Sequence, residues 1–172
     1  MPSVAILTIS DRSSKGIRTD LSGPALKDEV SKLGWQLANY SIVPDEASPI
    51  SDYLVEWSDN HQVELILTTG GTGFTPRDIT PEATLAIIER NAPGISEYMR
   101  LKSMQITPHA MLSRAVAGIR KKTLIINLPG SPKAAVENFH FVLPVLPHAI
   151  QLLSESDQAE MGHQFKPGET NG

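Results

Sequence analysis

The chain has 172 residues with 15 Lys and Arg against 19 Asp and Glu, a net charge of −4, and 40% of its residues are hydrophobic. That is one domain's worth of chain with an ordinary globular composition, able to bury roughly 70% of its unfolded surface without staples. The acidic balance argues against bulk nucleic-acid binding, and the absence of cysteine excludes disulfides, thiol nucleophiles, zinc–thiolate sites and iron–sulfur clusters. No apolar run approaches the ~20 residues that a bilayer span needs. The opening MPSVAILTISDR lacks a basic stretch before its apolar run. It therefore reads as a strand and not as a signal peptide, and a reducing cytoplasm is the expected location.

Val4–Ile9 is a near-continuous apolar run, as expected of a strand buried on both faces. A helix opens at Ser22-Gly23-Pro24, carries Leu26, Val30 and Leu33 on one face, and closes at Gly34. Trp35–Val43 is a weaker strand candidate. Ser48-Pro49 opens a second helix with Ile50, Leu54 and Trp57 aligned. Val63–Thr69 reads as another buried strand. Thr80-Pro81-Glu82 has the form of a helix start, with Thr80 as the cap. Pro93-Gly94 starts a helix that runs to about Ile106. Val116–Arg120 and Thr123–Asn127 flank Lys121-Lys122 and read as a hairpin. Ser131-Pro132 opens the last long helical region, which Pro144 and Pro147 must break before a stripe of Leu146, Ile150 and Leu153.

Alternating strands and helices predict an α/β domain: three layers, a mostly parallel central sheet with one antiparallel strand, and helices on both faces. The domain is expected over residues 1–153. From 154 to 172 the sequence is polar and aperiodic, a pattern expected of a mobile tail. That tail holds four acids and one lysine, and so most of the net negative charge.

In open α/β sheets ligands bind beyond the carboxyl ends of the strands. The segments that follow the four strands are Ser10-Asp11-Arg12-Ser13-Ser14, Pro44-Asp45-Glu46, Gly70-Gly71-Thr72-Gly73 with Phe74–Asp78, and Asn127–Lys133. All are polar, charged or glycine-rich. Three glycines in four positions let a backbone approach a ligand and turn its N–H groups toward an anion, or else simply make a tight turn. The loop is neither a phosphate-binding Gly-Lys-Ser/Thr loop nor a dinucleotide fingerprint, since Pro76 stands where the third glycine would be. Ser131-Pro132 caps a helix whose first amides could hold a phosphate, with Lys133 beside them. The competing reading is a normal cap and a solvated lysine. Asp11, Asp45 and Asp78 could hold Mg²⁺ near phosphates or serve as turn formers. Arg12, Arg77 and Arg114 are candidate phosphate clamps or surface ion pairs. The five histidines show no metal-ligand spacing. The residues alone thus indicate an anion-binding α/β domain: either a Mg²⁺-dependent enzyme acting on phosphate groups or a non-enzymatic nucleotide- or partner-binding module.

Ile42–Glu46, Leu65–Thr84, Ile106–Arg114, Ala117–Arg120 and Leu124–Pro132 together resemble, in order, the signature of the molybdopterin adenylyltransferases. The likeness covers roughly residues 4–153 and extends to the matching domains of gephyrin and the plant molybdenum-cofactor protein. It implies a three-layer α/β fold, usually a homotrimer. It also implies a reaction in which the terminal phosphate of molybdopterin attacks the α-phosphorus of ATP and pyrophosphate leaves. Mg²⁺ is the implied metal and ATP the co-substrate, and a separate molybdate-inserting enzyme takes the product. Neither nucleic acid nor membrane is an implied partner. By the same resemblance Asp45 and Asp78 are the essential acidic residues that hold Mg²⁺. Ser10 and Asp11, the loop Gly70, Gly71, Thr72 and Gly73, and Arg77 border the substrates. Ser113, Asn127, Pro129, Gly130, Ser131, Pro132 and Lys133 form the remaining wall, near the pterin and its phosphate. A catalytically silent trimeric pterin-binding or scaffold protein of the same fold is the alternative, and a competence-damage-type nucleotide enzyme a third reading.

Overall fold

A computed structural model describes residues 1–60 and 63–154. Its strands are β1 (Ser3–Ile9), β2 (Gln36–Val43), β3 (Leu65–Thr69), β4 (Arg90–Asn91), β5 (Ala117–Arg120) and β6 (Thr123–Leu128). Its helices are α1 (Asp11–Ser14), α2 (Ser22–Lys32), α3 (Ala47–Asn60), α4 (Thr80–Leu85), α5 (Pro93–Met104), α6 (Pro132–Val142) and α7 (Leu146–Leu153). Short 3₁₀ turns occupy Pro108–Leu112 and Leu143–Val145.

One six-stranded sheet has the order β2-β1-β3-β6-β5-β4. The first four strands are parallel, and β5 and β4 complete the sheet in antiparallel pairs. The solid apolar runs of β3 and β6 follow from their central positions, where every residue is buried. The weaker pattern of β2 follows from its place at the edge, where most of its residues keep some exposure.

Alternation along the strands divides the core into two slabs. Val4, Ile6, Leu65, Leu67, Leu124 and Ile126 pack against α2, α5, α6 and α7, with Phe139 of α6 fully buried. Ala5, Leu7, Ile66 and Ile125 face the other way, onto Ile50, Leu54 and Trp57 of α3 and Ala83 of α4. This is the expected three-layer arrangement. Trp35 meets Phe139 edge-on, with ring centroids 6.3 Å apart.

Several local expectations are corrected. Thr80 is the first helical residue of α4 and not its cap, because its hydroxyl donates to the Gly70 carbonyl at 2.9 Å. α2 does begin at Ser22, but the Asp20 carboxylate caps it by accepting from the N–H groups of Ser22 and Gly23. The two-residue edge strand β4 carries no periodic signal in the sequence. The β5–β6 hairpin forms as expected, with Lys121 at φ 50° in its turn. The prolines end α6 in a 3₁₀ turn, and α7 follows as a separate helix. From residue 155 onward the predicted tail lies outside the described residues. Among those described, no helix is long and apolar enough to cross a membrane.

Phe139 is 0% exposed between α2, α6 and the sheet. Phe139→Ala is therefore expected to destabilise the chain by about 3–5 kcal/mol, read from the midpoint of urea unfolding.

Candidate active site

The strand order reverses direction between β1 and β3, the position at which an open α/β sheet leaves a crevice beyond its carboxyl ends. A polar cavity of about 360 Å³ lies there. Its floor is the ends of β1 and β3, and the segments that open α2 and α6 form its walls. Ser22 Oγ donates to the Gly130 carbonyl at 2.7 Å and ties the two helix starts together. The Ser131 hydroxyl accepts from Ala134 N–H at 3.2 Å, which caps α6. Two eleven-residue helices thus begin on one cavity; the positive end of α6 favours negative charge there, whereas that of α2 is already met by the Asp20 carboxylate.

The glycine loop crosses this crevice. Gly70 and Gly71 have φ of +103° and +66°, and a Cβ on Gly70 would collide with the Ile9 carbonyl, so no larger residue fits. The loop carbonyls are all engaged. Gly70 O accepts from the Thr80 hydroxyl, Gly71 O from Thr80 N–H, Thr72 O from Arg114 N–H, and Gly73 O from Arg114 Nε. The amides of Gly71, Thr72, Gly73 and Phe74 have no acceptor among the described residues. Four successive free donors can serve an anion, and of the four Gly71 lines the polar cavity.

The carboxylates are held in a reciprocal arrangement. Asp45 Oδ2 accepts from Asp11 N–H at 2.8 Å, and Asp11 Oδ1 accepts from Asp45 N–H at 3.1 Å. Arg77 donates twice to Asp11, at 2.9 and 2.8 Å, and holds that carboxyl below its ordinary range. Burial pushes Asp45 up, and the like charges of Asp11 and Asp78 add to the shift. Asp78 Oδ2 accepts from Thr75 N–H at 2.9 Å and lies against Gly73. Among the described residues no three acidic, histidine or cysteine side chains form a metal cage. Mg²⁺ does not require one, since it commonly takes one or two carboxylates and completes its shell with water and phosphate oxygens. Asp45 and Asp78 line the same cavity, and Asp45 is a desolvated carboxylate among like charges, so this donor pair fits a cation that arrives with phosphates.

Of the sequence-predicted site residues, Ser10, Asp45, Gly70, Gly71, Asp78, Gly130, Ser131 and Pro132 line the polar cavity. Thr72, Gly73, Ser113 and Pro129 line a second, more apolar cavity of about 290 Å³ between α5, the Pro108–Leu112 turn and α6. The glycine loop and the Pro129-Gly130 turn contribute to both cavities. Asp11 and Arg77 pair with one another at the outer rim.

Two predicted wall residues stand elsewhere. Asn127 is fully buried: its Nδ2 donates to the hydroxyls of Thr68 and Thr84, and its Oδ1 accepts from Val116 N–H. A polar side chain in a dry interior needs those partners, so it joins α4 and β5 to the sheet and does not face a ligand. The Lys133 side chain is 82% exposed and lies 3.9 Å from Glu137, outside both cavities. Arg114 clamps protein backbone and lines neither cavity.

Residue-by-residue reading missed Asp20 and Arg18. Asp20 accepts from Thr8 Oγ1 at 2.7 Å and Tyr40 Oη at 2.5 Å while capping α2, and burial with the nearby Asp20 raises the Tyr40 phenol. The available signal was Asp20 two residues before Ser22-Gly23, the position of a capping carboxylate. Arg18 is the one basic side chain among the described residues lining the polar cavity.

The family described as the probable molybdopterin binding domain matches residues 5–148. The chain is 46% identical over 168 residues to a gephyrin of Dictyostelium discoideum, covering 92% of this chain and 23% of that protein, so it spans about a quarter of that relative's length. It is 45% identical over 152 residues to a molybdopterin adenylyltransferase of Helicobacter pylori, covering 87% of this chain and 86% of the relative. The crystal structure of the molybdopterin biosynthesis enzyme MoaB from Thermus thermophilus superposes with a TM-score of 0.86 at 48% identity, covering 91% of this chain and 98% of that one.

Because the native state holds the Asp45 proton more tightly than the unfolded chain does, the ionised carboxylate weakens the fold at neutral pH. That penalty fades on acidification, once the group is protonated in both states. An Asn side chain can still accept from Asp11 N–H through its amide oxygen. Asp45→Asn is therefore expected to raise the melting temperature of the free protein at pH 7, with the gain shrinking as the pH falls.

Proposed function

The chain belongs to the probable molybdopterin binding domain family, and from that membership and the polar cavity we propose that it is a molybdopterin adenylyltransferase. The observation that carries this reading is the run of four acceptor-free amides from Gly71 to Phe74 beside Asp45 and Asp78.

In this reading the ATP phosphates lie in the polar cavity. The glycine-loop amides donate to their oxygens, and the positive end of α6 and Arg18 add positive potential. The planar pterin rests in the neighbouring cavity, where Met99 and Leu112 offer apolar surface and Ser103, Ser113 and Asn138 offer polar edges. The molybdopterin phosphate then points across the wall formed by the glycine loop and the Pro129-Gly130 turn. A phosphate oxygen forms a bond to the α-phosphorus of ATP, the bond from that phosphorus to its bridging oxygen breaks, and pyrophosphate leaves with the electron pair. The attacking phosphate is already anionic, so no side chain need remove a proton. Phosphoryl-type transfer asks of a protein chiefly position and charge neutralisation. Asp45 and Asp78 would hold Mg²⁺, which would supply neutralisation of the charge that gathers on the leaving group. The adenylylated pterin passes to a separate molybdate-inserting enzyme.

Purified protein supplied with molybdopterin, ATP and Mg²⁺ is expected to release pyrophosphate and form adenylylated pterin. Asp78→Asn should lower kcat by about 100-fold, and chelation should stop turnover until Mg²⁺ is restored. Pterin binding with no pyrophosphate release would support a silent binding protein instead.

We also propose that the chain forms a homotrimer. α5 leaves Tyr98, Leu101 and Met104 exposed at helical spacing, an apolar face suited to a second copy. Light scattering is expected to give three times the 18.7 kDa chain mass, and Leu101→Glu a smaller species.

A further inference from the structure

We infer that Arg114 is a positioning residue that fixes the glycine loop and the cavity-lining Asp78 from outside the polar cavity. The inference rests on the reading of the polar cavity as the ATP site.

Arg114 lies between the Pro108–Leu112 turn and β5, and it touches the loop at successive carbonyls. Its backbone N–H donates to Thr72 O at 2.9 Å, and its Nε donates to Gly73 O at 2.8 Å. Nη2 donates to Asp78 O, and the guanidinium ends on the Glu82 carboxylate of α4. In a planar trans peptide the N–H of one residue points opposite to the carbonyl before it. Drawing the Thr72 and Gly73 carbonyls toward Arg114 therefore turns the Gly73 and Phe74 amides away from it. Those are two of the four acceptor-free amides, which run from Gly71 in the polar cavity to Gly73 in its neighbour and on to Phe74. The same guanidinium fixes the backbone of Asp78, whose carboxylate lies against Gly73.

The loop needs an outside clamp. With glycine at three of its four positions, it has little side-chain packing of its own and loses much conformational freedom when ordered. Arg114 is not a phosphate clamp itself, because it does not line the polar cavity and Glu82 neutralises it. Glu82 is held below the ordinary carboxylate range by this contact, so the ion pair persists across neutral pH. A planar fork can span the carbonyls of residues 73 and 78 and a carboxylate at once, which a single ammonium cannot.

Arg120 provides a matched comparison. It donates twice to Asp59, at 2.9 and 2.7 Å, and once to the Ile87 carbonyl at 2.9 Å. Its place beside Thr123, at the start of β6, is the opposite end of the sheet from the cavity.

The test measures ATP binding by calorimetry in MgCl₂, and pyrophosphate release with molybdopterin, for the wild type and for Arg114→Lys, Arg114→Gln and Arg120→Lys. Circular dichroism selects the folded variants. Both Arg114 variants are expected to bind ATP about tenfold more weakly and to lose about another tenfold in kcat, Lys failing to rescue. Arg120→Lys is expected to lower the melting temperature while binding ATP within twofold of the wild type. An Arg114→Lys protein within twofold of the wild type in both measurements overturns the inference, as does an Arg120→Lys protein that loses ATP binding equally. If the wild type binds ATP in an Arg114-dependent way but releases no pyrophosphate, the positioning role stands and the adenylyltransferase reading fails. If the wild type releases pyrophosphate and Arg114→Lys matches it, the reverse holds. If the wild type binds no ATP, both fail.

Discussion

The three central strand ends approach so closely that no side chain fits between them. A Cβ on Gly70 would strike the Ile9 carbonyl at the end of β1, and one on Gly130 would stand 3.3 Å from the Gly70 Cα. Gly70 N–H donates to Leu128 O at the end of β6, and Thr69 Oγ1 donates to Pro129 O. Since the ends of β1, β3 and β6 meet backbone to backbone, the loops that leave them must diverge from nearly one point. The cavity is the space between those loops. Asp45 reaches it because Ser10 N–H donates to Val43 O and the Asp11–Asp45 exchange closes β2 against β1.

Around that point the polar groups divide by sign. Carbonyls of the glycine loop turn inward to Thr80 and Arg114, and amides are left over. Carboxylates at positions 45 and 78 stand beside those amides. A cradle of donors wants an anion, and a desolvated carboxylate pair wants a cation. A phosphate chain carrying a divalent ion satisfies both demands at once. Elsewhere the interior is settled: Asn127, Thr68, Thr80, Thr84 and Thr123 all have partners. Among the described residues, Ser58 Oγ is the buried side-chain polar atom left without one. It lies in α3 next to Asp59, the partner of Arg120 at the opposite end of the sheet.

Much of this was legible from local pattern. Continuous apolar runs marked β1, β3 and β6, because strands buried on both faces have no polar side to alternate with. The positions after those strands and after β2 held Ser10, Asp45, Gly70, Gly71, Asp78 and Gly130, and each lines the cavity. What failed were side chains with two plausible destinations. Asn127 ends a strand like a ligand-facing residue, yet its side chain points into the sheet, where two threonine hydroxyls and an amide need it. Lys133 sits in the first turn of α6 but projects into solvent. Thr80 has the form of a cap and instead supplies a hydroxyl to the loop. Period and propensity report which face of an element is apolar, not which distant group satisfies a polar atom.

The sequence by itself determined the layers, the near-parallel sheet and the glycine loop, because burial periodicity and left-handed backbone are properties of neighbouring residues. It also determined, through the resemblance, the family to which the chain belongs. The tertiary structure alone decided that Arg114 serves the loop backbone, that Asp20 binds Tyr40, that Arg18 enters the cavity, and that Asp11 and Asp45 support one another. Each of those pairings joins groups that are far apart in the chain or on different elements. A hydrogen bond depends on position and direction within fractions of an ångström, and only the packed fold sets those for residues that the chain does not place side by side.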